Sequence, residues 1–292
     1  MKDYVILTDS CCDLEEEKCK ELGVEYLPMR VNYDDKEFYA SLDWAAIPAK
    51  DFYEMMRKGV HFKSAQLNPD DYYDEFERQI EKGKDILSLS TASGLSGSVN
   101  SSFVARDQIR EKYPDSKVIC VDTLRGSLGQ GLIVAKAAKL KKQGASIEEA
   151  AEWVEQHCQY VHQIGTIDDL KYLKRAGRVT GAAALMGAII RIKPLLGVNT
   201  KGQNVGVAKA IGRKASLRKC IGYVRDNIIK PETQTVYIVH ADCLEDAQKL
   251  QKLLLEDIGV RDVYINYVGA TVGASVGPGM IGVYFMGKEI TK

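Results

Sequence analysis

The sequence predicts an α/β protein in two parts, a mostly parallel sheet with helices on both faces followed by an α+β unit. Three observations carry this. Short buried runs such as Tyr4-Val5-Ile6-Leu7 alternate with helical stretches through the first half, the pattern of βαβ units. The second half pairs strands locally, with 192–198 and 205–210 flanking a polar turn as in a hairpin. At 292 residues the chain is long enough for two cores, and the change of character sets an expected boundary near residue 160, giving parts 1–160 and 161–292.

Element by element, a strand over 4–7 ends in Thr8-Asp9-Ser10. Asp13 with Glu16 has capping-box spacing and Gly23 ends the helix that follows. A strand is predicted over 24–31, a helix over 70–82, a strand over 85–89 and a helix over 98–113. Then come a strand over 117–121, a helix over 127–143 stopped by Gly144, and a helix opened by the Ser146/Glu149 capping box and running to about His162. Beyond the hairpin, helices over 213–229 and 244–258 separate strands over 235–240, 262–268 and 281–286.

Charge is balanced overall, with 40 basic and 40 acidic residues, but not locally. From Lys171 to Lys219 there are twelve lysines and arginines and no carboxylate. This block includes the apolar stretch from Gly181 to Gly197, so an amphiphilic anion, an anionic surface or an acidic protein fits it; a solvated basic face over an ordinary core is the plainer alternative. Neutral net charge and the absence of interleaved aromatics speak against nucleic acid. The longest uncharged apolar run, 182–190, is far short of the ~20 residues of a membrane span. Seven scattered cysteines without a CxxC, and an N-terminus too short in apolar residues for a signal peptide, set the expectation of a cytoplasmic protein with reduced thiols.

The sharpest motif is Ser93-Gly94-Leu95-Ser96-Gly97-Ser98, between a predicted strand and a predicted helix. Glycines let backbone approach a ligand, a helix start offers free N–H groups, and hydroxyls donate to a carboxylate or phosphate. Helix capping and turn formation use the same residues. A nucleophile elbow fails because the fifth position of Gly94-Leu-Ser-Gly-Ser98 is serine. Gly126-Ser-Leu-Gly-Gln-Gly131 has the wrong glycine order for a dinucleotide loop, and Gly282 to Lys288 lacks the Ser/Thr of a P-loop. His61, His157, His162 and His240 have no metal-ligand spacing; His157 and His162 would lie five apart on one helix, on different faces. His240-Ala-Asp242 reads as a polar strand end rather than a base, and the acidic tract from Asp70 to Glu77 as a solvated face. No acid/base pair or activated nucleophile assembles, so the chain reads as a binder with no catalysis, no metal and no cofactor.

Six segments occur in a familiar order: Thr8-Asp9-Ser10; Lys63-Ser64-Ala65-Gln66 before Asn68-Pro69; the serine loop; Asp169-Leu-Lys-Tyr-Leu-Lys-Arg-Ala-Gly-Arg178; Ile192-Lys-Pro-Leu-Leu196; and Val276-Gly-Pro-Gly279. Together they resemble, over essentially the whole chain, the DegV family of fatty-acid-binding proteins, which serve as the FakB carrier component of bacterial fatty acid kinase. The resemblance implies one long-chain fatty acid in an apolar tunnel within or between the two parts, its carboxylate near their cleft. It also implies a separate ATP-dependent kinase subunit as partner and an acyl phosphate destined for phospholipid synthesis. Family hydroxyls that bind the carboxylate match Ser64 and Ser96, with Ser93, Gly97 and Ser275 as further candidates. Many members carry a histidine shortly before Gly-Pro-Gly, where this chain has Ser275, a hydroxyl without imidazole's charge or proton. Arg175 and Arg178 are expected to gate the ligand or face the partner, and neighbouring cations to meet an anionic membrane transiently. The rival readings are a small-molecule phosphotransferase using the serine loop as a phosphate cradle, and a lipid-sensing adaptor.

Overall fold

The computed structural model describes residues 2–179 and 192–291. The apolar stretch expected from 181 onward therefore lies outside the described residues as far as 191. Strands β1 (Tyr4–Asp9), β2 (Val24–Leu27), β6 (Asp85–Ser90) and β7 (Val118–Asp122) form a four-stranded sheet in the order β2-β1-β6-β7, parallel throughout. Both faces are covered, as parallel sheets require. Val5, Leu7 and Ile86 pack on Phe76 of α3 (Pro69–Glu81) and Ile109 of α4 (Ser98–Lys112). The alternate residues Ile6, Leu87 and Leu89 pack in the cluster of α5 (Leu128–Lys142) and α6 (Ile147–His157).

A six-stranded mixed sheet follows, in the order β10-β9-β8-β13-β11-β12: β8 (Val161–Thr166), β9 (Ile192–Val198), β10 (Asn204–Ile211), β11 (Thr235–His240), β12 (Asp262–Tyr267) and β13 (Ile281–Met286). Helices α8 (Arg213–Asn227) and α9 (Leu244–Leu253) cover one face through Leu217, Val224 and Leu250. On the other face Tyr284 and Val239 join the same core cluster as Leu128, Leu132 and Ile133. Helix α5 is thus held between the two sheets, which explains why its apolar residues do not keep to one stripe. The α/β architecture with a parallel sheet and a second sheet unit agrees with expectation.

Three details differ. The strand expected over 24–31 divides at Pro28, which has no N–H for a ladder. β2 stays with β1, while β3 (Met29–Tyr33) pairs antiparallel with β4 (Lys36–Ala40) and β5 (Lys63–Ala65) in a small third sheet; α2 (Ala49–Arg57) lies between these two strands in sequence. The helix expected to reach His162 stops at His157, because Val161 and its neighbours pair with β13. His162 therefore sits on a strand, hydrogen-bonded to Tyr223 and the Lys288 carbonyl. Asp13 does not cap α1 (Glu16–Leu22), whose N-cap is Glu15; its carboxylate turns into the interior, while the Ser146/Glu149 box forms as expected. No helix among the described residues is long and apolar enough to cross a membrane.

Candidate functional site

Where α5 begins between the sheets, a cavity opens whose empty space, mouth included, is about 950 Å³. Four segments bring the polar residues expected from the sequence to its wall. Ser64 lies on β5, opposite Val31 in register, and is followed along the wall by Ala65 and Gln66. Ser96 comes from the loop between β6 and α4; its hydroxyl is 2.9 Å from that of Ser98 and accepts the Ser98 N–H at 3.2 Å. Ser98 in turn accepts the Leu67 N–H, which fastens the serine loop to the segment carrying Ser64. Arg178, just past the short helix α7 (Leu170–Ala176), donates from Nε to the Leu95 carbonyl at 3.2 Å and also lines the cavity. Ser275, on α10 (Ala270–Val276), completes this set of wall residues.

Ser64, Ser96, Ser275 and Arg178 are thus brought to one cavity. The other expected residues are elsewhere. Ser93 is exposed, its N–H donating to the Asp122 carboxylate. Gly97 lies behind the wall, where an added Cβ would meet Gln66 Oε1 at 2.3 Å. Arg175 points to the surface over the Tyr172 ring, 5.3 Å from its centroid. The loop is locked from the second sheet as well. A Cβ on Gly94 would lie 2.6 Å from the Lys201 carbonyl oxygen, so the turn between β9 and β10 is seated directly on it.

The remaining wall is largely apolar. Met29, Ile164, Ile167, Leu173, Leu196 and Met280 contribute. Gly165 and Gly282 face each other across β8 and β13 and leave a furrow in the sheet where two side chains would otherwise stand. Sequence reasoning missed much of this wall, including Thr91, Gln163, Asn204, Thr271 and Tyr284. Only a Gly in mid-strand, at 165 and 282, signals a close approach in advance.

Beneath the wall lie two buried acids. Asp9 accepts the N–H groups of Thr91 and Cys11, and burial raises its pKa. Asp13 accepts the Ser127 hydroxyl at 2.5 Å and the Gly269 N–H at 3.0 Å; burial pushes its pKa up to about 7. It ties α5 to the start of α10, the helix that carries Ser275. Ser127 itself is held at φ 54°, a conformation an L-residue keeps only when its surroundings impose it. Among the described residues no group of three or more His, Cys, Asp or Glu is placed to hold a metal. His240 ends β11, where Nδ1 accepts the Cys243 N–H and burial lowers its pKa.

This architecture, two sheets clasping one helix around a cavity with hydroxyls and a guanidinium at its wall, defines a two-sheet α/β protein with an interior cavity. The chain belongs to the DegV family, whose model, "Uncharacterised protein, DegV family", matches residues 3–288. It is 40% identical over 287 residues to a DegV domain-containing protein of Clostridium perfringens, covering 98% of each chain. Among solved structures it resembles a fatty-acid-binding DegV family protein from Thermus thermophilus, with a TM-score of 0.87, 26% identity, and coverage of 97% of this chain and 99% of that one. A DegV lipid-binding protein from Thermotoga maritima gives a TM-score of 0.84 at 25% identity, covering 99% and 100%.

Proposed function

We propose that this protein is a carrier of one long-chain fatty acid, without catalysis of its own, that presents the carboxylate to a separate ATP-dependent kinase. The observation that carries the reading is that Ser64, Ser96 and Arg178 line one largely apolar cavity. In this reading the two hydroxyls donate to the carboxylate, Ser275 adds a third donor, and the acyl chain lies along Ile164, Leu196 and Met280. Burying a ~15-carbon tail is worth on the order of 12 kcal/mol gross at about 0.8 kcal/mol per CH₂, enough for tight binding after the costs of ordering and association. Arg178, exposed and fixed to the serine loop through Leu95, stands where a partner meets both protein and head group, with Arg175 beside it on α7. The binding of fatty acid or lipid by the related proteins from Thermus and Thermotoga supports the ligand class.

The test is native mass spectrometry of the purified protein followed by lipid extraction. The expected result is one long-chain acid per chain, released on denaturation. A protein that is empty and does not take up added C14–C18 acids overturns the reading.

A further inference from the structure

A second concavity lies further along α5, toward its C-terminus. Its cationic side chains are Lys18 of α1, Lys136, Lys139 and Lys142 of α5, and Arg261 just before β12, and no aspartate or glutamate lines it. Its apolar floor includes Leu132, Tyr237 and Met286. Two of the cations are engaged with Glu21, Lys18 through the carboxylate at 2.7 Å and Lys142 through the carbonyl at 2.6 Å. Arg261 donates one Nη to Thr235 at 3.0 Å. Lys136 and Lys139 form no ion pair among the described residues. Burial lowers the pKa of Lys136, and repulsion from Lys139 and Arg261 lowers it further.

Two ordinary explanations fall short. Cations in the last turn of a helix are favoured by its dipole, which accounts for Lys139 and Lys142 but not for Lys136, more than a turn from the end, nor for Arg261 on another element. Solvated surface lysines relieve repulsion by spreading apart, whereas Lys136, Lys139 and Arg261 converge on one cleft that no carboxylate lines. An unbalanced cationic cluster over an apolar floor is complementary to an anion with an apolar or planar body. Arginine beside lysine suits phosphate in particular, the guanidinium offering paired N–H groups and the ammonium a point charge.

We propose that this cleft binds a soluble organic phosphate of at least two negative charges, its phosphates between Lys136, Lys139 and Arg261 and its body against Tyr237 and Met286. The site is separate from the fatty-acid cavity. Residues Gly126 and Ser127, where α5 begins, line that cavity, whereas Leu132 to Lys142 line this cleft. The proposal stands or falls independently of the fatty-acid reading.

Isothermal titration of the full chain with ATP and with inorganic pyrophosphate, in chelator-containing buffer, tests it. Phosphatidylglycerol vesicles form a separate sedimentation arm. The expected result is saturable one-to-one binding of ATP, competed by pyrophosphate and weakened tenfold or more in both Lys136→Gln/Lys139→Gln and Arg261→Gln, with thermal midpoint and fatty-acid loading unchanged. Binding to vesicles alone, lost in the same variants, assigns the phosphate to a lipid headgroup and overturns the soluble ligand. No saturable binding, or binding that survives both sets of substitutions, overturns the site altogether.

Discussion

The side-chain amide of Gln66 is packed over Gly97 so closely that a Cβ there would lie 2.3 Å from Oε1 and 2.9 Å from Cδ. Gly97 has φ −76° and ψ 0°, open to any residue, so contact and not backbone conformation is what keeps this position small. Gln66 is exposed at its own position and lines the cavity. Its amide is the free end of a flexible side chain and yields where backbone would not. Gly97→Ala is therefore expected to leave the thermal midpoint within a few degrees of wild type, about 1 kcal/mol, while displacing Gln66 and changing fatty-acid affinity several-fold. Gly94→Ala is the contrast, because its obstacle is the Lys201 carbonyl. Thermal melts and acid titrations of the two variants side by side separate the cases; equal destabilisation would refute the distinction.

Removing the hydroxyls tests the head-group assignment directly. A hydrogen bond to a charged group is worth about 1.5–3 kcal/mol, so Ser96→Ala and Ser64→Ala should each weaken fatty-acid binding by roughly tenfold or more. Ser96 also accepts the Ser98 N–H, so part of its effect passes through the loop. Among the described residues Ser64 has no hydrogen-bond partner of this kind, which makes it the cleaner probe. Unchanged dissociation constants in both variants would remove the carboxylate from this wall.

How far the sequence could be read depended on whether local and tertiary signals agreed. The alternation of strand and helix in the first half, the serine loop at the end of β6 and the hairpin of β9 and β10 were all legible, because hydrophobic period and turn residues point the same way there. Asp13 was misread for a physical reason. Its spacing to Glu16 satisfies a capping pattern, but Ser127 and Gly269, far away in sequence, offer its carboxylate better partners. Helix α10 was invisible because Ala270 to Val276 is made of small and β-branched residues without helical periodicity; it is held by docking, with Gly273 pressed on Tyr53. Ser275 on this helix was reached only through the family resemblance, and its neighbours in the cavity wall, Thr271 and Val272, were missed with the helix.

The buried carboxyl of Asp13 makes a pH dependence with a definite sign. In the unfolded chain it ionises near its ordinary value, about 4; in the folded protein burial pushes it up to about 7. The folded state therefore binds more protons than the unfolded state between these values. Its contribution to stability is fully present below pH 4 and is lost as pH rises through 7, by at most about 1.4 kcal/mol per pH unit. Asp13→Asn keeps an acceptor for Gly269 and has nothing to titrate. The difference in thermal midpoint between wild type and Asp13→Asn should move against wild type between pH 5 and pH 8. A difference that is flat across that range would show that the carboxyl is already ionised in the fold.

Under the proposed function, Arg178 is the residue through which hand-off to a kinase is expected to pass. Its guanidinium is anchored to the serine loop through the Leu95 carbonyl, and its own carbonyl accepts from Asn204 at 3.1 Å. Being exposed, its charge contributes little to folding. Arg178→Glu should therefore retain bound fatty acid and near-wild-type stability, yet lower the rate of acyl-phosphate formation by a fatty acid kinase at least tenfold. Rates matching wild type with the same loaded acid would dismiss Arg178 as a partner contact.

Chain-length preference should be set at the glycine pair on the cavity floor. Gly282 faces Gly165 across the strands, and a Cβ at 282 would meet the Met280 Cε at 3.1 Å and the Tyr284 hydroxyl at 3.0 Å. Both are ends of side chains that line the cavity, so new bulk at 282 is relieved by pushing them into the space that the acyl chain is to occupy. Gly165 offers no such relief, since its obstacle is the Ile281 carbonyl, 2.7 Å away in the neighbouring strand. Gly282→Val, a β-branched residue suited to a strand, is thus expected to fold with a loss of about 1–3 kcal/mol from overpacking. It should discriminate against longer acids, with C18 weakened several-fold more than C14 in competition loading read by mass spectrometry. An equal loss for both lengths would mean that the tail does not run over this furrow, and would move its path to the side of the cavity walled by Met29 and Cys11.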